Sequence, residues 1–292
     1  MQWRRTRNSQ LFDLLNKGFM LLMVFITMYP IFYVLFASVS NPARLLTYHG
    51  ILYKPLGFTL HAYQLVLRNG NILNGYRNTL IYLVLGTTVN MVMTILGAYV
   101  LSRDACLLKR LLIWIPLFTM FFSGGLIPSF LVVKQLSMID TLWAMILPGA
   151  LSTYNMLVLR TAFQSVPAAL EESAKLDGAN DLTVLVRIFL PLIVPSLAVI
   201  GLFYAVGHWN SWFGAMIYLR RRTLYPLQLI LREILILSQA DFTQQVERSE
   251  FSNINEIVKY ATIIVATVPI LFVYPFLQRY FVKGVMLGAV KG

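Results

Sequence analysis

The sequence predicts an all-α polytopic membrane protein with six transmembrane helices, because of its composition and the length of its apolar blocks. Of its 292 residues, 58% are hydrophobic and only 12% are charged, against roughly 25% charged residues in soluble domains. The mean hydropathy is +0.69. A large soluble core is a poor alternative, because helices of soluble proteins alternate apolar and polar faces and these blocks do not.

Six apolar segments approach the length of about 20 residues that crosses a bilayer. The predicted spans are residues 18–38, 79–101, 111–133, 141–160, 184–209 and 260–280. The first run is longer than the roughly 7–15-residue apolar core of a signal peptide. No small-residue cleavage site follows it. We therefore expect it to be a retained membrane helix.

Basic residues before the first span set the orientation. They are Arg4, Arg5, Arg7 and Lys17. The positive-inside rule places them in the cytoplasm, and six spans put both termini there. The short loop with Arg103, Lys109 and Arg110 is then cytoplasmic too. The predicted organisation is an N-terminal segment 1–17, a transmembrane domain 18–283 with a cytoplasmic loop 165–183 and outer loops 39–78 and 210–259, and a cytoplasmic tail 284–292.

The segments predicted to face outward carry 11 Lys and Arg and 6 acids, a net charge of +5. The run Arg220, Arg221 and Arg222 is their densest basic cluster. A cationic outer surface attracts an anionic solute or an acidic partner. Ordinary surface charge, or contact with lipid headgroups, explains the run equally well.

Helix-breaking residues interrupt three predicted spans. They are Gly124, Gly125 and Pro128 in the third span, Pro191 and Pro195 in the fifth, and Pro269 and Pro275 in the sixth. Such breaks are tolerated in a membrane only against protein or water. They favour a bundle around a solute pathway over a simple anchor, although Gly and Pro are fairly common in membrane helices.

No predicted span carries a charged residue near its centre, where ion-coupled carriers commonly place acids or histidines. Energy must therefore come from outside the chain. The candidate pathway-lining residues are Gly124, Gly125, Pro128, Tyr154, Asn155, Tyr204, His208, Trp209, Asn210 and Trp212. Aromatic faces stack well on sugar rings, whereas Trp209 and Trp212 also suit an interfacial aromatic belt.

Several classes of protein are excluded by missing motifs. The single cysteine, Cys106, rules out an internal disulfide and a cysteine-based metal site. The sequence contains no G-x-x-x-x-G-K-[ST], so the chain does not bind ATP through a P-loop. No acid, base, nucleophile or metal constellation lies within the spans. We expect neither an enzyme nor a metal or cofactor bound by this chain.

The segment between the fourth and fifth spans predicts a helix, a turn and a second helix. Ser165 is the predicted N-cap of the first helix, and Pro167 suits its first turn. Gly178 is expected to end that helix in a left-handed conformation. Asn180 or Asp181 can then cap the next helix, which continues into the fifth span.

The same segment resembles the E-A-A-x-x-x-G-(nine residues)-I-x-L-P motif of ABC importer permeases. The matching residues are Glu172, Ser173, Ala174, Gly178, Ile188, Leu190 and Pro191. Ser173 for the first alanine is the one departure, and it replaces one small residue by another. Several fixed spacings met over 20 residues make the match specific.

The likeness extends over essentially the whole chain. Asp177-Gly178-Ala179 is similar to the D-G-A form of carbohydrate importers. Residues 125–163 and 284–292 resemble the maltose-type permease subunits. The sequence is most similar to the polysaccharide branch, which includes the smaller permease subunit of bacterial alginate importers. No motif identifies a uronate.

The resemblance implies a type I ABC importer permease fold in a bacterial inner membrane, with the outer loops in the periplasm. The implied partners are a second, different permease subunit, two ATPase subunits that carry ATP and Mg, and a solute-binding protein. No nucleic-acid partner is implied. The implied ATPase-coupling residues act mechanically: Leu170, Glu171, Glu172, Ser173, Ala174, Asp177, Gly178, Ile188, Leu190 and Pro191. The tail 284–292 is expected at the ATPase interface.

The cargo implied by the resemblance is an oligo- or polysaccharide. The outer charge favours an acidic, alginate-like polymer. A neutral maltose-like oligosaccharide is the alternative. A membrane receptor or scaffold that transports nothing is a third hypothesis, against which the intact loop argues. The sequence leaves open which permease subunit contacts the sugar.

Overall fold

The computed structural model describes residues 7–103, 108–243 and 257–272, and every regular element in these ranges is a helix. The helices of the first half are α1 Arg7–Ser38, α2 Pro42–Thr47, α3 His61–Arg68, α4 Gly70–Ser102, α5 Lys109–Phe121, α6 Leu126–Gln135 and α7 Trp143–Ile146. Those of the second half are α8 Thr153–Gln164, α9 Ala168–Leu176, α10 Asp181–Val184, α11 Leu190–Leu192, α12 Val194–Trp209, α13 Phe213–Tyr218, α14 Leu227–Thr243 and α15 Ile257–Phe272. A π turn covers Leu185–Phe189, and 3₁₀ turns cover Leu147–Gly149 and Arg222–Leu224.

The chain divides into two units. Among the described residues, the first unit takes 7–69, 233–243 and 257–268, and the second takes 70–103, 108–232 and 269–272. In the first unit α1 ends at Ser38 as predicted, but it begins well before the predicted residue 18. The Ser38 hydroxyl lies 2.7 Å from the Tyr63 hydroxyl, which ties the end of α1 to α3.

The second unit is organised around α4, which begins earlier than the predicted residue 79. One side of α4 is buried at intervals of three or four residues, as expected for a helix face. These buried positions are Gly75, Thr79, Tyr82, Gly86, Asn90, Thr94 and Ala98. Small residues let backbones approach closely in membrane proteins, and polar ones hydrogen-bond between helices. α8 and α12 pack on α4.

The predicted third span at 111–133 is wrong as a single helix. α5 and α6 meet at a bend of 117°. The break falls at Gly125, whose φ of 82° and ψ of −177° belong to a region that is essentially restricted to glycine. The Ser123 hydroxyl accepts a hydrogen bond from the Gly125 N–H at 3.1 Å. Ser123-Gly124-Gly125 therefore ends one helix and starts another.

The predicted fourth span at 141–160 is also divided. α7 ends in the 3₁₀ turn Leu147–Gly149, and α8 starts only at Thr153. Pro148 is placed where a continuing helix would need its N–H. Ser152 then caps α8, because its hydroxyl accepts a hydrogen bond from the Asn155 N–H at 3.4 Å.

The predicted fifth span at 184–209 consists of α10, the π turn, α11 and α12, with a bend of 87° before Val194. The Leu190 N–H bonds to the Leu185 carbonyl, five residues earlier. Pro191 and Pro195 cannot donate to the helix ladder, and their rings clash with the preceding turn. The predicted sixth span at 260–280 starts within α15, and its remainder lies outside the described residues.

By length and composition, two described helices can cross a membrane, Leu11–Ser38 within α1 and the whole of α4. The number becomes four if each of the two bent pairs forms one span. The count of six and the cytoplasmic position of both termini stay predictions.

Candidate functional site

The loop between α8 and α10 carries α9, which begins one residue after Pro167. Pro167 has an extended conformation, with φ −58° and ψ 130°, and it occupies the N-cap position. The predicted N-cap, Ser165, is wrong. It ends α8 instead, with φ −77° and ψ −12°, and its hydroxyl donates to the Ala162 carbonyl at 2.7 Å.

The end of α9 confirms the predicted stop at Gly178, which has a φ of +84°. The Gly178 N–H bonds to the Lys175 carbonyl at 3.0 Å, and the Ala179 N–H bonds to the Ala174 carbonyl at 2.9 Å. This pair of bonds is a Schellman motif. The next helix is capped by Asn180, whose side-chain oxygen accepts from the Thr183 N–H at 2.8 Å.

α9 presents two different faces. Glu171 and Ala174 are half-buried, and Ala174 packs on a cluster of buried side chains beneath the helix. Glu172, Ser173 and Leu176 are exposed. Leu176 has 90% of its surface exposed.

The other expected coupling residues divide in the same way. Ile188 and Leu190 are half-buried and pack on this cluster. The remaining members are exposed: Leu170, Asp177, Gly178 and Pro191.

Three aromatic rings form the centre of the cluster beneath α9. Tyr99 comes from α4, Phe163 from α8 and Phe189 from the π turn. The centroids of Tyr99 and Phe163 are 5.7 Å apart, as are those of Tyr99 and Phe189. Both pairs are edge-on, a favoured aromatic arrangement. The rings therefore join three elements at the base of the loop.

Arg103, just after α4, is a functional candidate that the sequence interpretation missed. Its guanidinium forms an ion pair with the Glu171 carboxylate. The same group lies 4.3 Å from the centroid of the Phe189 ring and 5.3 Å from that of Tyr99. In the sequence Arg103 is visible only as a loop charge, because no local pattern pairs it with a residue 68 positions away.

Glu171 also accepts from Lys175, at 2.9 Å from Nζ. Desolvation alone would raise the pKa of Glu171, but the hydrogen bonds from Lys175 and Arg103 and their charges outweigh it and lower that pKa. The hydrogen bond to Glu171 raises the pKa of Lys175. Lys175 lies 3.4 Å from the Asp181 carboxylate as well. The carboxylate of Glu171 is thus ionised and shared by two cations.

The expected pathway residues lie in different surroundings. Gly124, Gly125 and Pro128 are exposed at the bend between α5 and α6. Tyr154 is exposed in the first turn of α8, whereas Asn155 is buried.

Three further expected pathway residues lie at and beyond the end of α12. Trp209 is buried, and its indole Nε1 has no hydrogen-bond partner among the described residues. Asn210 is exposed and donates to the Val206 carbonyl at 3.0 Å. Trp212 lies under the Arg232 guanidinium, 3.8 Å from its ring centroid.

Tyr204 and His208 hold the irregular backbone between α7 and α8. The Tyr204 hydroxyl lies 2.7 Å from the Thr94 hydroxyl and accepts from the Ser152 N–H at 3.1 Å. Asn90 donates to the Gly149 carbonyl at 2.5 Å, and its own oxygen lies 2.7 Å from His208 Nε2. Broken backbone at membrane depth needs such partners.

The run of arginines at 220–222 meets Asp140, which has a φ of +61°. One carboxylate oxygen of Asp140 accepts from the backbone N–H groups of Arg220 at 3.0 Å and Arg221 at 2.9 Å. The other oxygen lies 2.6 Å from Arg221 Nε. These contacts lower the pKa of Asp140, and the backbone hydrogen bond from Arg221 has the largest effect. The side chains of Arg220 and Arg222 are exposed.

Comparison with known proteins connects this geometry to a family. Residues 106–287 match the model of the binding-protein-dependent transport system inner membrane component. The chain belongs to this family. The importer-permease motif at 172–191, α9 and the turn at Asp140 all lie inside the matched region. Arg103 lies before it.

Two similar proteins come from Bacillus subtilis (strain 168). The polygalacturonan/rhamnogalacturonan transport system permease protein YtcP is 41% identical over 97% of this chain and 99% of its own length. Protein LplC is 39% identical over 98% of this chain and 97% of its own length.

One similar solved structure is a crystal structure of a bacterial ABC transporter involved in the import of the acidic polysaccharide alginate. It has 30% sequence identity and a TM-score of 0.87, and the match covers 96% of this chain and 100% of that one. This member of the binding-protein-dependent family is therefore a sugar ABC permease with the type I fold, a membrane subunit that transports and is not itself catalytic.

Proposed function

We propose that this chain is a permease subunit of an ATP-driven importer that moves an acidic oligo- or polysaccharide into the cytoplasm by alternating access. The observation that carries the proposal is the shape of α9. Its ends are fixed by Pro167 and the Schellman turn at Gly178, while Leu176 is 90% exposed. An apolar side chain held outward on a short, rigid helix suits a groove on another protein.

The partner for α9 in this proposal is an ATPase subunit, which binds ATP and Mg. The importer would contain two ATPase subunits, a second, different permease and a solute-binding protein. Membership of a binding-protein-dependent family supports the last of these. The tail 284–292, proposed to contact an ATPase, lies outside the described residues.

The proposed topology has six spans, both termini in the cytoplasm and the chain in a bacterial inner membrane. The two long helices and two bent pairs support four crossings. The two remaining crossings would be α7 with α8, and α15 with the residues after it. Their apolar composition supports this placement.

An acidic cargo is supported by the similar proteins and by charge. Polygalacturonan, which the name of one relative carries, is a uronate polymer like alginate. The exposed side chain of Arg220 adds positive charge to the proposed outer face. Arg221 contributes less, because Asp140 neutralises it. A neutral maltose-like oligosaccharide is the alternative cargo.

The proposed pathway is lined by the residues named from the sequence. Some of them would contact the solute, and others would act through the backbone that they hold. Tyr154 and Asn210 are exposed and can meet a solute. Among the described residues the Trp209 Nε1–H has no hydrogen-bond partner, which supports a polar solute as its partner in this proposal, because buried indole donors usually have one. Tyr204 would act through the backbone it holds at Ser152.

The test is ATP hydrolysis by the whole complex in proteoliposomes. The complex is assayed with its binding protein and, in turn, oligogalacturonate, alginate oligosaccharide and maltotetraose. We expect both uronate polymers to stimulate hydrolysis severalfold and maltotetraose to have no effect. Stimulation by maltotetraose alone would establish the neutral alternative. Purification of the chain without any ATPase would instead support a non-transporting receptor or scaffold.

A further inference from the structure

Glu171 binds two cations in unequal surroundings. The side chain of Lys175 is 46% exposed and lies one helical turn along α9. The side chain of Arg103 is 17% exposed, and that of Glu171 is 15% exposed. Exposed i,i+4 pairs contribute little, because solvent and salt screen them. The pair with Arg103 is less exposed and is therefore screened less by solvent and salt.

Arg103 also touches each element beneath α9. Its Nε donates to the Ser102 hydroxyl at 3.0 Å, and its guanidinium lies over the Phe189 ring of the π turn. Its Nη2 lies 3.5 Å from the Phe163 carbonyl of α8. A planar guanidinium can pair with a carboxylate in a fixed fork and stack flat on a ring at once, so a lysine is not equivalent at this site. One side chain therefore joins α9 to the π turn, α8 and the end of α4.

α4 extends these contacts to distant parts of the second unit. Thr79 accepts from the Leu227 N–H at 2.9 Å, and Asn78 donates to the Thr223 carbonyl at 2.7 Å. Asn90 holds the Gly149 carbonyl of the break before α8. A displacement of the Arg103 end of α4 would reach all three contacts, because α4 is one unbroken helix of 33 residues.

We infer that Arg103 is a positioning residue for transport: its ion pair with Glu171 makes α9, the π turn and the end of α4 move as one body. The inference rests on the proposed docking of α9 on an ATPase. It assigns the transmission of α9's movement to two residues outside the motif. Glu171 lies one residue before the motif glutamate, and Arg103 lies far from the motif in sequence.

The test measures a distance within the chain in the assembled complex. Cys106 is replaced by serine, and spin labels are attached to Val100→Cys on α4 and Ala168→Cys in the first turn of α9. Pulsed EPR gives the distance between them without nucleotide and with ATP and vanadate. The variant R103M/E171L removes the ion pair but keeps both sites filled with apolar side chains, which often preserves folding.

We expect one narrow distance in the parent, with the same mean in both states. In R103M/E171L the distribution should broaden, and its mean should differ between the states. Lys175→Ala is the matched control, because it removes the exposed cation from the same carboxylate, and it should behave like the parent. If the pair only stabilises the fold, R103M/E171L should lower the melting temperature, but the distance should still not depend on nucleotide.

Two results would overturn the inference. One is a parent distance that changes with nucleotide. The other is an R103M/E171L distance as narrow and constant as that of the parent. If no ATPase purifies with the parent, the proposed docking is wrong, and this is a separate outcome. The widths of the nucleotide-free distributions of parent and variant still decide whether Arg103 fixes α9.

Discussion

Arg103–Glu171 and Arg221–Asp140 are both arginine–carboxylate pairs in the second unit, yet their surroundings differ. The first pair is 17% and 15% exposed and lies against aromatic rings. In the second, Arg221 is 65% exposed, and Asp140 binds the backbone of its own partner. Both pairs join elements far apart in sequence, by 68 positions in the first pair and 81 in the second, so they differ in exposure and in their neighbours. Burial therefore decides which pair can hold a moving helix.

The largest expected effect comes from breaking the buried pair on one side. Arg103→Ala leaves the Glu171 carboxylate half-buried with only the exposed Lys175. Removing one partner of a half-buried pair costs about 2 to 3 kcal/mol, less than for a fully buried pair. The melting temperature of the purified complex should fall, and cargo-stimulated ATP hydrolysis should be lost. Lys175→Ala should change stability by less than about 0.5 kcal/mol. If Arg103→Ala and Lys175→Ala changed melting temperature and hydrolysis equally, Arg103 would be no more important to Glu171 than Lys175 is.

The outward face of α9 gives the next effect. Leu176→Asp puts a charge into the proposed groove, and loss of a buried anchor at an interface costs about 2 kcal/mol. We expect the amount of ATPase that purifies with the permease to fall. Leu182→Asp is the matched control, because Leu182 is also exposed but lies on α10. Equal losses in both variants would contradict a specific role for Leu176.

Substitutions at Gly178, in the turn after α9, test whether the position of α9 matters when no side-chain contact is changed. Gly178→Ala forces a Cβ into a left-handed conformation at a cost of about 1 to 2 kcal/mol. It touches no neighbour, since nothing lies within 4 Å of the added atom. Coupled hydrolysis should fall while basal hydrolysis stays. Gly178→Pro should abolish coupling, because it also removes the N–H that bonds to Lys175. Gly70→Ala, in open space without a positive φ, should be silent.

The exposed pair should show the smallest effect. Asp140→Asn removes the Arg221 ion pair but keeps an acceptor for the backbone N–H groups. We expect a stability loss of at most about 1 kcal/mol, smaller at high salt. A larger loss of stability that salt does not change would show that this pair stabilises the fold as much as Arg103–Glu171 does.

Acid sensitivity compares the two carboxylates directly. Their pKa values are both lowered on folding, so each contributes stability that is full above its unfolded pKa, near 4.5 for Glu171 and 3.8 for Asp140. That stability is lost as the pH falls through the folded pKa. Melting temperature against pH should therefore decline below about pH 4.5. Glu171→Gln and Asp140→Asn should each flatten the decline, and a variant whose curve matches the parent's would show that its carboxylate does not contribute.

Local rules predicted the parts of the site that depend on a few neighbouring residues. The stop at Gly178 and the cap at Asn180 are set by hydrogen bonds within five residues. Ser165 failed as a cap because Pro167 took the position and α8 continued to Gln164. In the span at 111–133 the glycines at 124 and 125 indicated a break, and the structure places it at Gly125. In the span at 141–160 the break at Pro148 was not predicted, because the apolar composition continues through it.

The sequence by itself determined that this is a helical membrane protein carrying the spaced motif of ABC importer permeases, because hydropathy, caps and a spaced motif act over short stretches. Only the tertiary structure decided which face of α9 is open and which cation holds Glu171. Arg103 and Glu171 are 68 residues apart, and their meeting depends on α4, α8 and the π turn packing around Tyr99, Phe163 and Phe189. No local pattern encodes a contact that three separate helical elements must create together.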